Sequence, residues 1–452
     1  MAGKKKLDAR TAAFLALTKI EEEGAFTNLA LSDVFAKHHI QGRDKGLATE
    51  ITYGVVTYKL TLDWLIEQIT GRPAEKLDRP VLLVLRIGFY QLFYLDRIPA
   101  PAIVHTTVEL VKKTKKRALA PFVNGVMRGA LRKKNRLPWP SRQNDLLTYL
   151  SLVYSHPSWM VKRWLARMTE AETEALLQAN NTAPAVSLRV NNLRTQREQL
   201  LESLARAGLE VKPSQIIPEG VLLTKGGGQL TQLPAYQKGL FHLQSESAML
   251  VSRILDPAPG SKVLDACSAP GGKTTHLAAL MKNQGEIIAL DIFAHRLQLV
   301  ELNAKRLGAK IIKTKLLDAQ LLEPEHFGLF DHILLDVPCS GLGVIRRKPD
   351  IKWRRREEEI KELAKTQKNL LDKAAAVLKR GGTLVYSTCT NEPEETSEVI
   401  KDFLARHPDF TPVELANYLP ASWHKESNTP GIQLYPHLHG IDGFYIVKLR
   451  HT

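Results

Sequence analysis

The chain has 452 residues, with 63 Lys and Arg against 47 Asp and Glu, a formal net charge of +16, 44% hydrophobic and 24% charged residues. This is the composition of folded globular domains, about three by length; it excludes a low-complexity disordered chain and, with no run of about 18 apolar residues, a helical membrane protein. The three cysteines, Cys267, Cys339 and Cys389, include no CxxC pair, so neither a disulfide scaffold nor a structural zinc site is expected.

Residues 1–10 are basic and lead directly into an amphipathic pattern, with no apolar stretch before a small-residue cleavage site. The expected setting is therefore cytoplasmic. Residues 7–135 read as all-helical. Ala13, Leu17 and Ile20 fall at helical spacing, and Ile51, Val55, Leu62, Leu65, Ile66 and Ile69 predict one long helix over 47–69. The segment 82–95 is apolar enough to sit at the centre of a bundle, and 103–111 and 122–131 read as further helices. Lys112, Lys113, Lys115, Lys116, Arg117, Arg128, Arg132, Lys133, Lys134 and Arg136 form a block with no acidic residue among them. Such a block predicts salt-sensitive phosphate contacts that carry little sequence information. The stretches RDKGLATEITYGVVTYKLTLDWLI and FVNGVMRGALRK resemble the NusB family, a helical RNA-binding fold. The resemblance implies RNA contact by a domain over 1–138; it does not imply catalysis.

Leu137-Pro138-Trp139-Pro140-Ser141 reads as a linker. A small α+β module is expected over 145–244: helical patterns to about 179, an alternating strand at 185–190, a helix over 195–207, and short strands near 209–211, 221–223 and 239–243. Its shape suggests an RNA-recognition-like module, although it has no clear aromatic signature. The remainder, 245–452, alternates strand and helix. Strands are predicted at 262–266, 286–291, 310–315, 331–337 and 383–387, with helices at 274–281, 295–307, 357–379 and 394–405. A final strand, 443–449, is expected antiparallel near the sheet edge. This is the pattern of a Rossmann-like, doubly wound α/β domain with a mostly parallel sheet.

The chemistry centres on KVLDACSAPGGKTTHLAAL, residues 262–280, where a strand, a glycine turn and a helix follow one another. Such a turn lets the backbone approach a ligand and presents the unpaired N–H groups of the helix start. Walker A fails because Cys267 occupies its opening glycine position, and GxGxxG is absent, so ATP hydrolysis and hydride transfer lose their support. Asp291 ends the second strand, where a ribose hydroxyl could be met, and Asp318 follows the third. The fourth and fifth strands end in Asp336-Val337-Pro338-Cys339-Ser340 and Ser387-Thr388-Cys389-Thr390. Adjacent strand ends would bring one carboxylate and two thiols into a single pocket.

DACSAPGGKT, LDVPCSG and YSTCT resemble the RNA cytosine-C5 methyltransferases of the NOL1/NOP2/Sun family, over about residues 150–450, and GVIRRKPDIKW is a further family-like stretch. With a NusB-like domain in front, the domain order points to the branch acting on 16S ribosomal RNA. The resemblance implies S-adenosylmethionine as cofactor, held by Cys267, Ser268, Ala269, Pro270, Gly271, Gly272, Lys273, Asp291, Asp318 and Asp336. It implies Cys389 as nucleophile, Asp336 at the base N3, and Cys339 in product release. Gln244 and Glu246 stand where the family often has a Gln-Asp/Glu pair, and Ile292-Phe293 replaces a frequent second acidic residue. The basic run from Arg346 to Arg356 is expected to meet phosphate. His38-His39 and His437/His439 read as surface histidines, and the protein is expected to act as a monomer. Two rivals remain: a non-enzymatic RNA-binding factor, and an amino-directed methyltransferase. The second would need an Asp/Asn-Pro-Pro-aromatic loop where this chain has Asp336-Val337-Pro338-Cys339.

Overall fold

The computed structural model describes residues 7–225, 230–426 and 430–452; the basic start, residues 1–6, lies outside them. Two compact units result. One is the chain to Asn181 together with Lys348–Arg354; the other is Thr182–Arg347 with Arg355–Thr452.

The first unit is helical. Its central helix, Arg79–Tyr94, buries every residue from Val81 to Leu92, as its unbroken apolar character predicts. Around it pack Ala9–Glu22, Gly42–Thr57, Lys59–Thr70, Ala100–Lys112 and Ala120–Lys133. The pattern over 47–69 is two helices rather than one, because the chain turns at Tyr58 (φ −102°, ψ 20°). Tyr58 stacks on Tyr94 at 4.0 Å. The helix Thr27–His38 was not foreseen; it buries only Thr27, Ala30, Leu31 and Val34, too narrow a stripe to stand out. Residues 137–141 are not a free linker, since the Trp139 ring lies 4.4 Å from that of Trp64.

The helices Leu146–Val153, Ser158–Leu165 and Glu170–Asn181 belong to this unit and not with the strands that follow. Thr61 Oγ1 donates to Leu152 O at 2.5 Å, and Ser155 Oγ accepts from Leu60 N at 3.1 Å. The compact helical unit therefore extends to Asn181.

Lys348–Arg354 is held by the same unit. Asp350 Oδ1 accepts from Thr27 N (3.2 Å) and Oγ1 (2.7 Å). Lys352 Nζ, fully buried, donates to Thr57 O (2.7 Å), Ser155 O (2.9 Å) and Asn181 Oδ1 (3.1 Å). Burial with no carboxylate partner pushes Lys352 well below the usual lysine pKa.

The second unit contains two sheets. The smaller has β1 (Val186–Val190), β2 (Glu210–Pro213), β3 (Gly220–Lys225) and β4 (Phe241–Leu243) in the order β2-β3-β1-β4, all antiparallel. Helix Arg197–Arg206 packs Leu200 and Leu204 against Leu188, Val221 and Phe241.

The larger sheet comprises β5 (Lys262–Asp265), β6 (Glu286–Asp291), β7 (Ile312–Leu316), β8 (Phe330–Asp336), β9 (Leu378–Thr388), β10 (Phe410–Pro412), β11 (Ile432–Leu434) and β12 (Phe444–His451). Their order is β10-β12-β9-β8-β5-β6-β7, with β11 also on β12. Strands β5 to β9 run parallel, while β12 is antiparallel to β9, as its alternation near the sheet edge predicts. The helix expected over 357–379 ends at Ala376, because β9 begins at Leu378 and includes Gly381 and Gly382. The chain order reverses at β5, between β6 and β8. That switch point opens a crevice beyond the carboxyl ends of the strands, where α/β sheets bind their ligands.

Candidate active site

The glycine turn leaves β5 and enters the helix Gly272–Leu280. Gly271 has φ +94°, and a Cβ there would sit 3.0 Å from Val300 Cα, so no other residue fits without displacing the helix Ala294–Leu307. That helix also occupies the carbonyls of the turn: Arg296 Nη2 donates to Ala269 O (3.1 Å) and Asn303 Nδ2 to Pro270 O (2.9 Å). Ser268 Oγ is tied to Leu290 O at 2.8 Å. Pinned in this way, the turn is held rigid at the start of the helix, whose first N–H groups lack intrahelical partners.

A residue that the sequence reading missed supports the turn from behind. Arg189, on β1 and fully buried, donates to Gln244 Oε1 (2.6 Å), Thr275 Oγ1 (3.0 Å) and Gly272 O. The visible signal was an arginine inside the apolar run Val186-Ser187-Leu188-Arg189-Val190. Gln244 therefore serves this scaffold, while Glu246 Oε1 accepts from Ser214 Oγ at 2.5 Å and closes the small sheet.

Asp291, buried at the end of β6, accepts from Phe293 N at 3.0 Å and faces Arg296 Nη1 at 3.4 Å. Asp318 sits farther along the same edge, where its Oδ1 accepts from Gln320 N at 2.9 Å and caps a short turn. Asp265 is buried beneath the glycine turn and accepts from Thr274 Oγ1 at 2.7 Å. Burial pushes it up to about 7; the Thr274 hydroxyl opposes this and the charge on Asp336 adds to it. Cys267 lies in the turn itself. Burial, then Asp265, Asp336 and Asp291, raise its thiol far above the usual range, so it lines the crevice as a neutral group.

The parallel pairing of β8 and β9 sets Asp336 opposite Ser387, whose Oγ donates to Asp336 Oδ1 at 2.8 Å. Lys273 Nζ donates to the other oxygen, Oδ2, at 2.7 Å. Burial works against the Lys273 ammonium, but Asp336, the hydrogen bond to it and Cys389 outweigh burial and hold its pKa above the ordinary lysine value. Just beyond, Cys339 Sγ and Cys389 Sγ lie 3.3 Å apart. The hydrogen bond to Cys389, burial, and the carboxylates Glu395 and Asp336 push the Cys339 thiol well up. This favours the neutral thiol at Cys339, within hydrogen-bond distance of the Cys389 sulfur. The structure thus brings Lys273, Asp336, Cys339 and Cys389 together, and leaves Asp291 and Asp318 farther along the sheet, at and after the ends of β6 and β7.

One expectation is corrected. The basic run after the Cys339 loop is mostly engaged within the fold and not free for phosphate. Arg346 and Arg347 both pair with the buried Asp442, the first at 2.7 Å. Lys352 is the buried lysine described above. Arg354 donates to Ala25 O at 2.5 Å, and Arg355 to Ser340 O (2.9 Å) and Cys339 O (3.2 Å). Asp442 lies too far along the sequence for the charge pattern to reveal the pairing.

The donor set fits S-adenosylmethionine. A glycine turn, a helix start, the strand-end carboxylate Asp291 and the Lys273–Asp336 pair suit an adenosine with an amino-acid tail. Fold and site together define a Rossmann-like, S-adenosylmethionine-dependent methyltransferase carrying a helical bundle and a small four-stranded module. Among the described residues no helix is long and apolar enough to cross a membrane.

Comparison with known proteins narrows this class. Residues 252–450 match the family described as 16S rRNA methyltransferase RsmB/F, 7–132 match the NusB family, and 156–228 match an RsmF/B-like ferredoxin-like domain. The chain is 38% identical over 451 residues to a probable ribosomal RNA small subunit methyltransferase B of Bacillus subtilis, covering 99% of each chain. It is 38% identical over 450 residues, again 99% of each, to the small subunit methyltransferase B of Klebsiella pneumoniae. The crystal structure of PH0851 superposes with a TM-score of 0.82 at 29% identity, covering 99% of this chain and 100% of that one. NSun6 from Pyrococcus horikoshii, solved with SFG, matches with a TM-score of 0.58 at 26% identity, over 66% of this chain and 99% of that one. The chain belongs to the RsmB/F family of 16S rRNA methyltransferases.

Proposed function

We propose that this protein methylates C5 of a cytosine in 16S ribosomal RNA, through a covalent bond between Cys389 and C6 of the base. The observation that carries the reading is the pair of thiols 3.3 Å apart, beside an aspartate held by Lys273 and Ser387. C5 of cytosine is a poor nucleophile, and adding a thiolate to C6 makes C5 enamine-like. S-adenosylmethionine, when bound by residues 267–273, Asp291, Asp318 and Asp336, supplies an electrophilic methyl group.

The Cys389 sulfur forms the bond to C6. As the thiolate adds and the ring takes up negative charge, N3 gains a proton from solvent, and Asp336 accepts the hydrogen bond from that N3–H and holds the proton there. Once C5 is methylated, its proton leaves to solvent water, the electron pair re-forms the C5–C6 double bond, and the C6–S bond breaks. The departing sulfur takes that bond's electrons and meets the Cys339 S–H at hydrogen-bond distance, so Cys339 assists release. An amino-directed chemistry would leave both thiols without a role, and a non-enzymatic RNA binder would leave the whole cluster without one.

The target base must leave its stack to reach the crevice. The basic block over 112–136 supplies phosphate contacts that hold the RNA. The test is Cys339→Ala with unmodified 16S RNA and S-adenosylmethionine. The reading expects a methylated RNA–protein adduct that survives SDS, and the absence of any adduct in the presence of normal turnover would remove Cys339 from release.

A further inference from the structure

Glu395 follows Cys389 by six residues and reads in the sequence as an ordinary acidic residue before a helix. In the structure it is fully buried and has no cationic partner among its described contacts. Its side-chain hydrogen bonds go to the two loops that carry the thiols and to Gln367, which braces one of them. Its Oε1 accepts from Ser340 N (2.8 Å) and Gln367 Nε2 (3.0 Å). Its Oε2 accepts from Ser340 Oγ and from Thr390 Oγ1 (3.2 Å). Ser340 Oγ and Thr390 Oγ1 are themselves 2.7 Å apart. The backbone carbonyl of Glu395 accepts from Tyr386 OH at 2.8 Å, and Gln367 Nε2 also donates to Pro338 O at 3.0 Å.

Ser340 follows Cys339 and Thr390 follows Cys389, so one carboxylate clamps the residue after each thiol. Burying such a charge without a cation is unfavourable, and only a full set of neutral donors makes it tolerable. Four polar groups from the two thiol loops and their brace converge on the two oxygens of this one side chain. We propose that Glu395 is the positioning residue that sets the Cys339–Cys389 separation, and thereby the rate at which the methylated base is released. This rests on the covalent reading above. The charge on Glu395 also helps keep Cys339 protonated, the form that release requires.

The test compares Glu395→Ala, Glu395→Gln and Thr390→Val in the full-length protein with 16S RNA and S-adenosylmethionine. Glutamine keeps the clamp's shape, because its carbonyl can replace Oε1 and its amide can donate to the two hydroxyl oxygens. For Glu395→Ala the inference expects kcat to fall about 10- to 100-fold with KM falling alongside it and kcat/KM little changed, a loss of the order that small misplacements of reacting groups produce. The SDS-resistant adduct should accumulate as it does for Cys339→Ala, and Glu395→Gln should restore most of the rate. Thr390→Val, which frees only the Cys389 loop, should show the same signature more weakly, and it decides the matter if Glu395→Ala does not fold. A folded Glu395→Ala with wild-type kcat and no adduct overturns the inference, as does a loss expressed in KM alone. Cys389→Ala separates the two claims: if it still transfers methyl groups, the covalent reading itself fails. If it is inactive while the clamp variants turn over normally, only the role of Glu395 fails.

Discussion

Mild acid should loosen the catalytic unit through His276, whatever the protein's surface charge does. His276 lies in the helix that follows the glycine turn, fully buried, with Nε2 2.5 Å from Glu219 Oε1. Glu219 Oε2 also takes Arg253 Nη1 at 2.9 Å, so the carboxylate joins the turn helix, the small sheet and the helix Glu246–Leu255. Burial and then the nearby Arg189 push His276 down to about 4, against its pull from Glu219. A histidine whose folded pKa is depressed stays neutral in the fold while the unfolded chain takes up a proton below about 6.5. Stability is therefore intact above pH 7 and is lost as the pH falls towards 4. Between pH 7.5 and pH 5 this one group should remove about 2 kcal/mol. Glu219, lowered to about 2 against burial by its bonds to His276 and Arg253, adds its own loss only below about pH 4.5. Urea denaturation followed by far-ultraviolet circular dichroism at pH 7.5, 6 and 5 reads the effect. His276→Gln keeps a donor for Glu219 and cannot titrate, so it should flatten most of the fall. An unchanged pH dependence in that variant would refute the reasoning.

Other outcomes follow from the same geometry. Gly271→Ala must force a side chain against Val300 in a backbone conformation that alanine resists; S-adenosylmethionine affinity should drop at least tenfold by calorimetry. Lys273→Met removes a charged donor from Asp336 and should lower kcat by about two orders of magnitude in single-turnover methyl transfer, with RNA affinity preserved. Arg128, Arg132 and Lys133 are exposed in the basic block; changing all three to Glu should weaken RNA binding and reduce the slope of log affinity against log salt by about 2 to 3.

Much of the catalytic unit was legible because its strands alternate with helices and its crevice motifs sit at strand ends. The meeting of Asp336, Cys339 and Cys389 could be read ahead, since consecutive parallel strands in such sheets place their ends together. What stayed hidden depended on partners far apart in the chain. Arg189 meets the carbonyl of Gly272, and Arg346 and Arg347 meet Asp442; a charge pattern alone reads all three as surface or phosphate groups. Glu395 was invisible for the same reason, because a buried carboxylate bonded to hydroxyls looks like any helix-start acid in one dimension. The packing of the Pro-Trp-Pro stretch was equally hidden, because the contact of Trp139 with Trp64 joins residues far apart in the chain. The tie of Lys348–Arg354 to the helical unit could not be read from its charges, since Lys352 is satisfied by two backbone carbonyls and one side-chain amide oxygen.

The central claim is chemistry at C5 through Cys389. The most direct measurement uses 16S RNA transcribed with tritium at C5 of cytosine, incubated with the full-length protein and S-adenosylmethionine. Methylation at C5 must expel that hydrogen. The account predicts one tritium released to water for each methyl group transferred, and neither event with Cys389→Ala. Methyl incorporation without tritium release, or equal release by the Cys389→Ala protein, would contradict it.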